Sequence, residues 1–154
     1  MTASRLLALF LATFAGMACA DPPAEIMNIT READLKWVKN PLIPGLESAV
    51  IHGNPSEPGK PYTVRVHFSP GVMSSPHFHP ETRHIVVLKG TWWVGSGPKW
   101  DREATTAVPA GSFVVHHPNK IHYDGAKGED VIVQIYGMGP GTTTLVDEAG
   151  NPKK

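Results

Sequence analysis

Beyond residue 20 this sequence has no cysteine; its single one is Cys19. Residues 21–154 therefore have no disulfide framework, no thiolate metal ligand and no cysteine nucleophile. Charge is sparse and unsigned. Charged residues make up 18%, and the 14 Lys and Arg cancel the 14 Asp and Glu. A near-neutral chain lacks the electrostatic footprint needed to hold a nucleic-acid backbone or an anionic membrane. No segment after residue 20 is apolar for long enough to cross a bilayer. G-x-S-x-G, a phosphate loop, an internal repeat and a low-complexity tract are also missing. Nucleophilic hydrolase and nucleotide-binding readings thus have no residues to carry them.

What is present begins with an address. Residues 1–20 read MTASRLLALFLATFAGMACA, with a short basic start at Arg5, an apolar run over 6–15, and Ala18-Cys19-Ala20 as an A-x-A site. This pattern predicts a signal peptide cleaved near Ala20 and a periplasmic or secreted protein. A lipoprotein acylated at Cys19 ranks second, because Gly16-Met17-Ala18 lacks the usual upstream Leu. Taking 20 residues from 154 leaves 134, enough for one compact domain. Losing Arg5 from the 14 basic residues leaves 13 against 14 acids, so neutrality survives processing. An exported domain without disulfides depends on its own core for stability.

Composition points to an all-β fold. Apolar residues reach 41%, and Gly and Pro, 15 each, are scattered between short apolar runs. Residues 30–39 (TREADLKWVK) fit either a short helix N-capped by Thr30 or an irregular arm packing Trp37 on the domain. Residues 62–68 alternate strictly, with Tyr62, Val64, Val66 and Phe68 on one face. The run from Ile85 to Leu88 reads as a strand covered on both sides, and Lys89-Gly90 turns it into 91–95, with Trp92 and Trp93 on opposite faces. Strands are also predicted over 112–116, 131–136 and 142–146, separated by breakers such as Pro109-Ala110-Gly111 and Pro118-Asn119. The expected division is a signal peptide over 1–20, an N-terminal arm and first strands over 21–60, a barrel core over 61–147 and a tail over 148–154. So many short strands favour a small barrel or sandwich.

Six of the eight histidines fall between positions 77 and 122. In His77-Phe78-His79, residues two apart on a strand face the same way, so both rings can reach one cation. Imidazole is largely neutral at pH 7 and is the commonest neutral metal ligand. A third histidine from a distant strand would complete the set, and His116, His117 and His122 are the candidates. In an extended chain His77, His79, Glu81, Arg83, Ile85 and Val87 share a face, with His84 opposite. Asp124-Gly125 reads first as a hairpin turn and second as an acceptor for an imidazole N–H. Trp92 and Trp93 read first as core aromatics and second as cavity walls.

These residues resemble a known family. Gly71, His77, His79, Arg83 and Gly90 stand at the spacings of the first cupin motif, G-x5-H-x-H-x3,4-E-x6-G, with Arg83 in the place of the family's glutamate. Pro109-Ala110-Gly111-Ser112-Phe113 through His122-Tyr123 is similar to the second cupin motif, with Lys120 in its Gly region, one residue fewer before His122 and no following Asn. The likeness runs from about residue 35 to 146 and is to small single-domain exported cupins. It implies a cupin-type β-barrel (a double-stranded β-helix or jelly roll) with a site inside the barrel mouth.

The resemblance also implies chemistry. In the family three histidines and one glutamate hold Fe, Mn, Ni, Cu or Zn. Here His77, His79 and His122 are the implied ligands of a divalent transition metal. Arginine cannot ligate, so three outcomes are open at Arg83. The three-histidine site binds metal with open positions; or Glu81, of the same parity, supplies the missing carboxylate as a fourth ligand; or the metal is lost and Arg83 clamps an anionic ligand. The first is preferred, with Arg83 orienting a small, anionic organic substrate. Two functions follow: a metal-dependent enzyme of oxygenase or isomerase type, or a non-catalytic, metal-free cupin that binds or senses a small molecule. Paired barrels are common in the family, which implies a homodimer.

Overall fold

The computed structural model describes residues 21–153. The chain enters through a single 3-10 turn, Glu32–Asp34, and then forms eleven strands. These are β1 (Val38–Lys39), β2 (Leu46–His52), β3 (Pro61–Phe68), β4 (His77–Phe78), β5 (Arg83–Lys89), β6 (Thr91–Ser96), β7 (Thr106–Pro109), β8 (Phe113–His116), β9 (His122–Gly125), β10 (Val131–Met138) and β11 (Thr144–Leu145). One sheet runs β1-β2-β3-β10-β5-β8 and the other β11-β4-β9-β6-β7, with every pairing antiparallel. From β3 onward the chain passes repeatedly from one sheet to the other, as a double-stranded β-helix requires.

The core lies between the sheets. Phe68, Ile85, Val87, Val131, Val133 and Ile135 project from the larger sheet side, and Trp92 meets them from the smaller. The expected alternation of β3 holds. Tyr62 and Phe68 are buried, Val64 and Val66 pack on the core, and on the other face Arg65 donates to Gln134 while His67 meets Asp130. Gly90 makes the β5–β6 turn at φ 71°, and a Cβ there would fall 2.3 Å from the carbonyl of Asp130. Only glycine fits that approach.

The structure departs from the sequence expectations at several points. No helix capped by Thr30 forms; the N-cap is Arg31, without a side-chain bond, and the turn lasts three residues. The apolar pattern there is too short to bury a helical face, so the arm runs on irregularly, sets Trp37 edge-on against His67 and pairs β1 with β2. Strand β5 is covered on one face only: Ile85 and Val87 are buried, whereas Leu88 is exposed. The Pro109 breaker closes a strand, β7, that its polar and small residues had concealed. Asp124-Gly125 is no hairpin turn; both residues belong to β9 and are buried. The predicted signal segment and the residue Cys19 lie outside the described residues.

Candidate metal centre

His77 on β4 and His122 on β9 are direct cross-strand partners. His79 follows one residue after β4 ends, and its side chain points the same way as that of His77. The parity expected across 77–87 survives the interruption at Pro80: His77, His79, Arg83, Ile85 and Val87 are buried, and His84 is exposed. Pleating on β4 and pairing with β9 thus bring three imidazoles to one point. One nitrogen of each lies within 4.8 Å of the others.

Each ring is oriented by a backbone carbonyl. The Nδ1–H of His77 donates to Ser75 at 2.7 Å, that of His79 to Thr142 at 2.9 Å, and that of His122 to Lys120 at 2.9 Å. In a neutral imidazole this leaves the Nε2 lone pair pointing into the cluster. Burial holds His79 and His122 in that neutral form. The pKa of His79 is pushed down to about 2, by burial first and then by the Arg83 guanidinium. Burial likewise lowers His122, against the opposing pull of Asp124. Nε2 of His122 is buried and, among the described residues, has no hydrogen-bond partner. Three convergent nitrogen donors, one of them orphaned, form a set able to hold a divalent metal ion.

Arg83 and Glu81 occupy one side of this cluster as a pair. Glu81 Oε1 accepts from Arg83 Nε at 2.8 Å and lies 2.7 Å from Nη2; it also accepts from the Tyr62 hydroxyl at 3.2 Å. Arg83 Nη2 reaches the Thr142 carbonyl at 3.1 Å, and Nη1 donates to His79 Nε2 at 3.1 Å. Thr142 therefore anchors both His79 and Arg83. Glu81, weighed as a fourth ligand, stands with Arg83 and outside the group of three nitrogens.

Among the remaining histidines, His117 and His84 are exposed. His116 pairs with Arg83 across β5 and β8, and its ring centroid lies 3.9 Å from that of His122. Burial first, and His122 next, hold its pKa down at about 4. Asp124, one strand repeat beyond His122, carries its carboxylate 3.8 Å from His122 Nε2 and 4.0 Å from His77 Nε2. Sequence reasoning ranked it as a turn, although its two-residue offset from His122 on an extended chain was a usable signal. The carbonyls of Ser75, Lys120 and Thr142 carried none, because every residue type has one.

His77 and His79 of the cluster, with Arg83 and Asp124, line a cavity of about 390 Å³. Its walls include Leu46, Val66, Phe68, Val133 and Ile135, together with Asn40, Leu42 and Ile43 of the arm. Asn40 Oδ1 accepts from the backbone N–H groups of Leu42 and Ile43, which ties that segment into a turn. Trp92, 2% exposed, serves both readings made of it, in the core and on the cavity wall. Trp93 lies on the opposite face beneath Lys127.

Comparison with known proteins agrees with this architecture. A germin-like protein of subfamily 1 from Arabidopsis thaliana is 34% identical over 91 residues, which cover 54% of this chain and 40% of that protein. This chain thus spans less than half the length of that relative. Among solved structures, the polyketide cyclase RemF from Streptomyces resistomycificus superposes with a TM-score of 0.61 at 18% identity, covering 73% of this chain and 79% of that one. An RmlC-like cupin from Ralstonia eutropha gives 0.63 at 17%, covering 85% and 80%. These likenesses show the fold. The model of the ChrR cupin-like domain matches residues 26–140, most of the sequence, and the chain belongs to that family of cupins.

Proposed function

We propose that this protein is an exported single-domain cupin that holds one divalent transition metal through His77, His79 and His122 and acts on or binds a small organic molecule in the adjoining cavity. The observation that carries this reading is the common tautomer: three Nδ1–H groups bonded to carbonyls and three Nε2 atoms turned inward. A metal bound there would supply Lewis-acid polarisation or an oxygen-activating centre. The chain's own residues do the rest. The apolar walls exclude water from the ligand's body, and the Arg83 edge of the cavity orients an anionic end. A homodimer belongs to the same proposal and is checked by sedimentation.

One observation favours a metal-free reading. Arg83 Nη1 already satisfies the lone pair of His79, so a guanidinium stands where a cation would otherwise be needed. In that case the pocket binds or senses its ligand without catalysis. Metal analysis of exported protein after exposure to mixed divalent ions separates the two. The proposal expects close to one equivalent, lost in His122→Ala and kept in His116→Ala. Less than roughly a tenth of an equivalent rejects the metal reading.

A further inference from the structure

We infer that Asp124 is the carboxylate ligand of this site, supplying from β9 the anionic oxygen that Arg83 denies it on the first motif. The inference rests on the proposed metal reading and names a ligand beyond the three histidines.

The distances from Asp124 to two of the three histidines fit atoms sharing a cation. Ligand atoms each about 2.1 Å from one metal lie between roughly 3 and 4.2 Å apart, depending on the angle between them. Asp124 Oδ2 is 3.8 Å from His122 Nε2 and 4.0 Å from His77 Nε2. Both spacings are too long for a hydrogen bond and lie at the upper end of that range. The two nitrogens present lone pairs, since their Nδ1 atoms carry the protons. With both rings in that tautomer, two lone pairs and a carboxylate oxygen face one another, and a cation would resolve the repulsion.

The carboxylate is also committed to this spot. Asp124 is 6% exposed, and among the described residues no lysine or arginine stands within ion-pair distance of it. Its backbone is clamped by Ser74: the Ser74 N–H and hydroxyl both donate to the Asp124 carbonyl, at 2.8 and 3.0 Å, and the Asp124 N–H returns a bond to Ser74 Oγ at 3.0 Å. Glu81 has the opposite fate. Arg83 takes its Oε1 twice, while its Oε2 is buried with no hydrogen-bond partner among the described residues. The two carboxylates near the cluster thus differ: Glu81 is paired with an arginine, and Asp124 has only imidazoles beside it.

Cobalt(II) titration of the full chain tests the assignment, read both by competition with a chromogenic chelator and by ligand-field absorption. Asp124→Asn keeps the shape and removes the anionic ligand. Its cobalt affinity should fall about tenfold or more, and the ligand-field bands should change. Unchanged bands overturn the assignment whether or not affinity falls, because a nearby anion that does not coordinate alters affinity alone. If the asparagine variant does not fold, Asp124→Glu moves the carboxylate by one methylene and must also alter the bands. Absence of cobalt binding by the wild-type chain instead rejects the metal reading itself, and the assignment with it.

Discussion

Arg83 donates through Nη1 to Nε2 of His79 across 3.1 Å, so a side chain of this protein competes with any metal for one of the three histidine lone pairs. The guanidinium cannot give up its proton to make way, and its remaining nitrogens are held by Glu81 and Thr142. Metal binding must therefore displace or tilt Arg83 and work against its charge. Arg83→Gln removes the charge and the competition. Its affinity for a divalent metal should rise about tenfold or more, ~1.4 kcal/mol, measured by chelator competition. A weaker site in this variant would show that the guanidinium supports the metal.

Acid should unfold the metal-free protein through its buried imidazoles. His79 and His116 sit at about 2 and about 4, below the ordinary 6.5. Between those values the unfolded chain binds protons that the folded chain refuses, so stability is full above about pH 6.5 and is lost as pH falls. Each group contributes a slope of about 1.4 kcal/mol per pH unit, His116 down to about pH 4 and His79 further. Denaturant midpoints between pH 7 and pH 4 should fall less steeply in His116→Gln than in the parent. Parallel profiles would refute the neutral state of the half-buried His116.

Gly95 on β6 faces Tyr123 on β9, between the strand positions of His122 and Asp124. A Cβ at Gly95 would lie 2.2 Å from the Tyr123 ring, whose hydroxyl donates to the Asp101 carbonyl at 2.8 Å. The ring has no room to retreat. Gly95→Ala should cost about 1–3 kcal/mol by overpacking, read in chemical denaturation, and should weaken metal binding by shifting β9. A variant with unaltered stability would show that the ring relaxes freely.

Export is proposed from residues 1–20 alone. Intact mass of the protein recovered from the cell envelope or medium should correspond to a chain starting at Asp21. An uncleaved mass rejects the signal peptide, and a chain starting at an acylated Cys19 selects the lipoprotein alternative.

The fold was legible because β-strands write their burial into a period of two. Tyr62, Val64, Val66 and Phe68 line one face in the sequence and in the structure alike. The same period placed His77, His79 and Arg83 on one side, although the chain bends at Pro80 and Glu81 between β4 and β5. The arm was less legible: residues 30–39 carry weak helix signals that tertiary contacts override, and Trp37 settles against His67 instead. Asp124 was misplaced because Asp-Gly is a strong local turn signal, and its competitor, pairing with Val94 on β6, is made by residues 30 positions away.

The amino-acid sequence by itself determined which atoms are available here: no thiolate in residues 21–154, histidines at the spacing of two motifs, and an arginine where a carboxylate is usual. Those are properties of residue type and local period. Only the tertiary structure decided which of these atoms meet. It paired His77 with His122, gave Glu81 to Arg83, and turned Asp124 inward beside two imidazoles. Such choices depend on strand register between distant segments and on backbone carbonyls that every residue carries, so no local pattern records them.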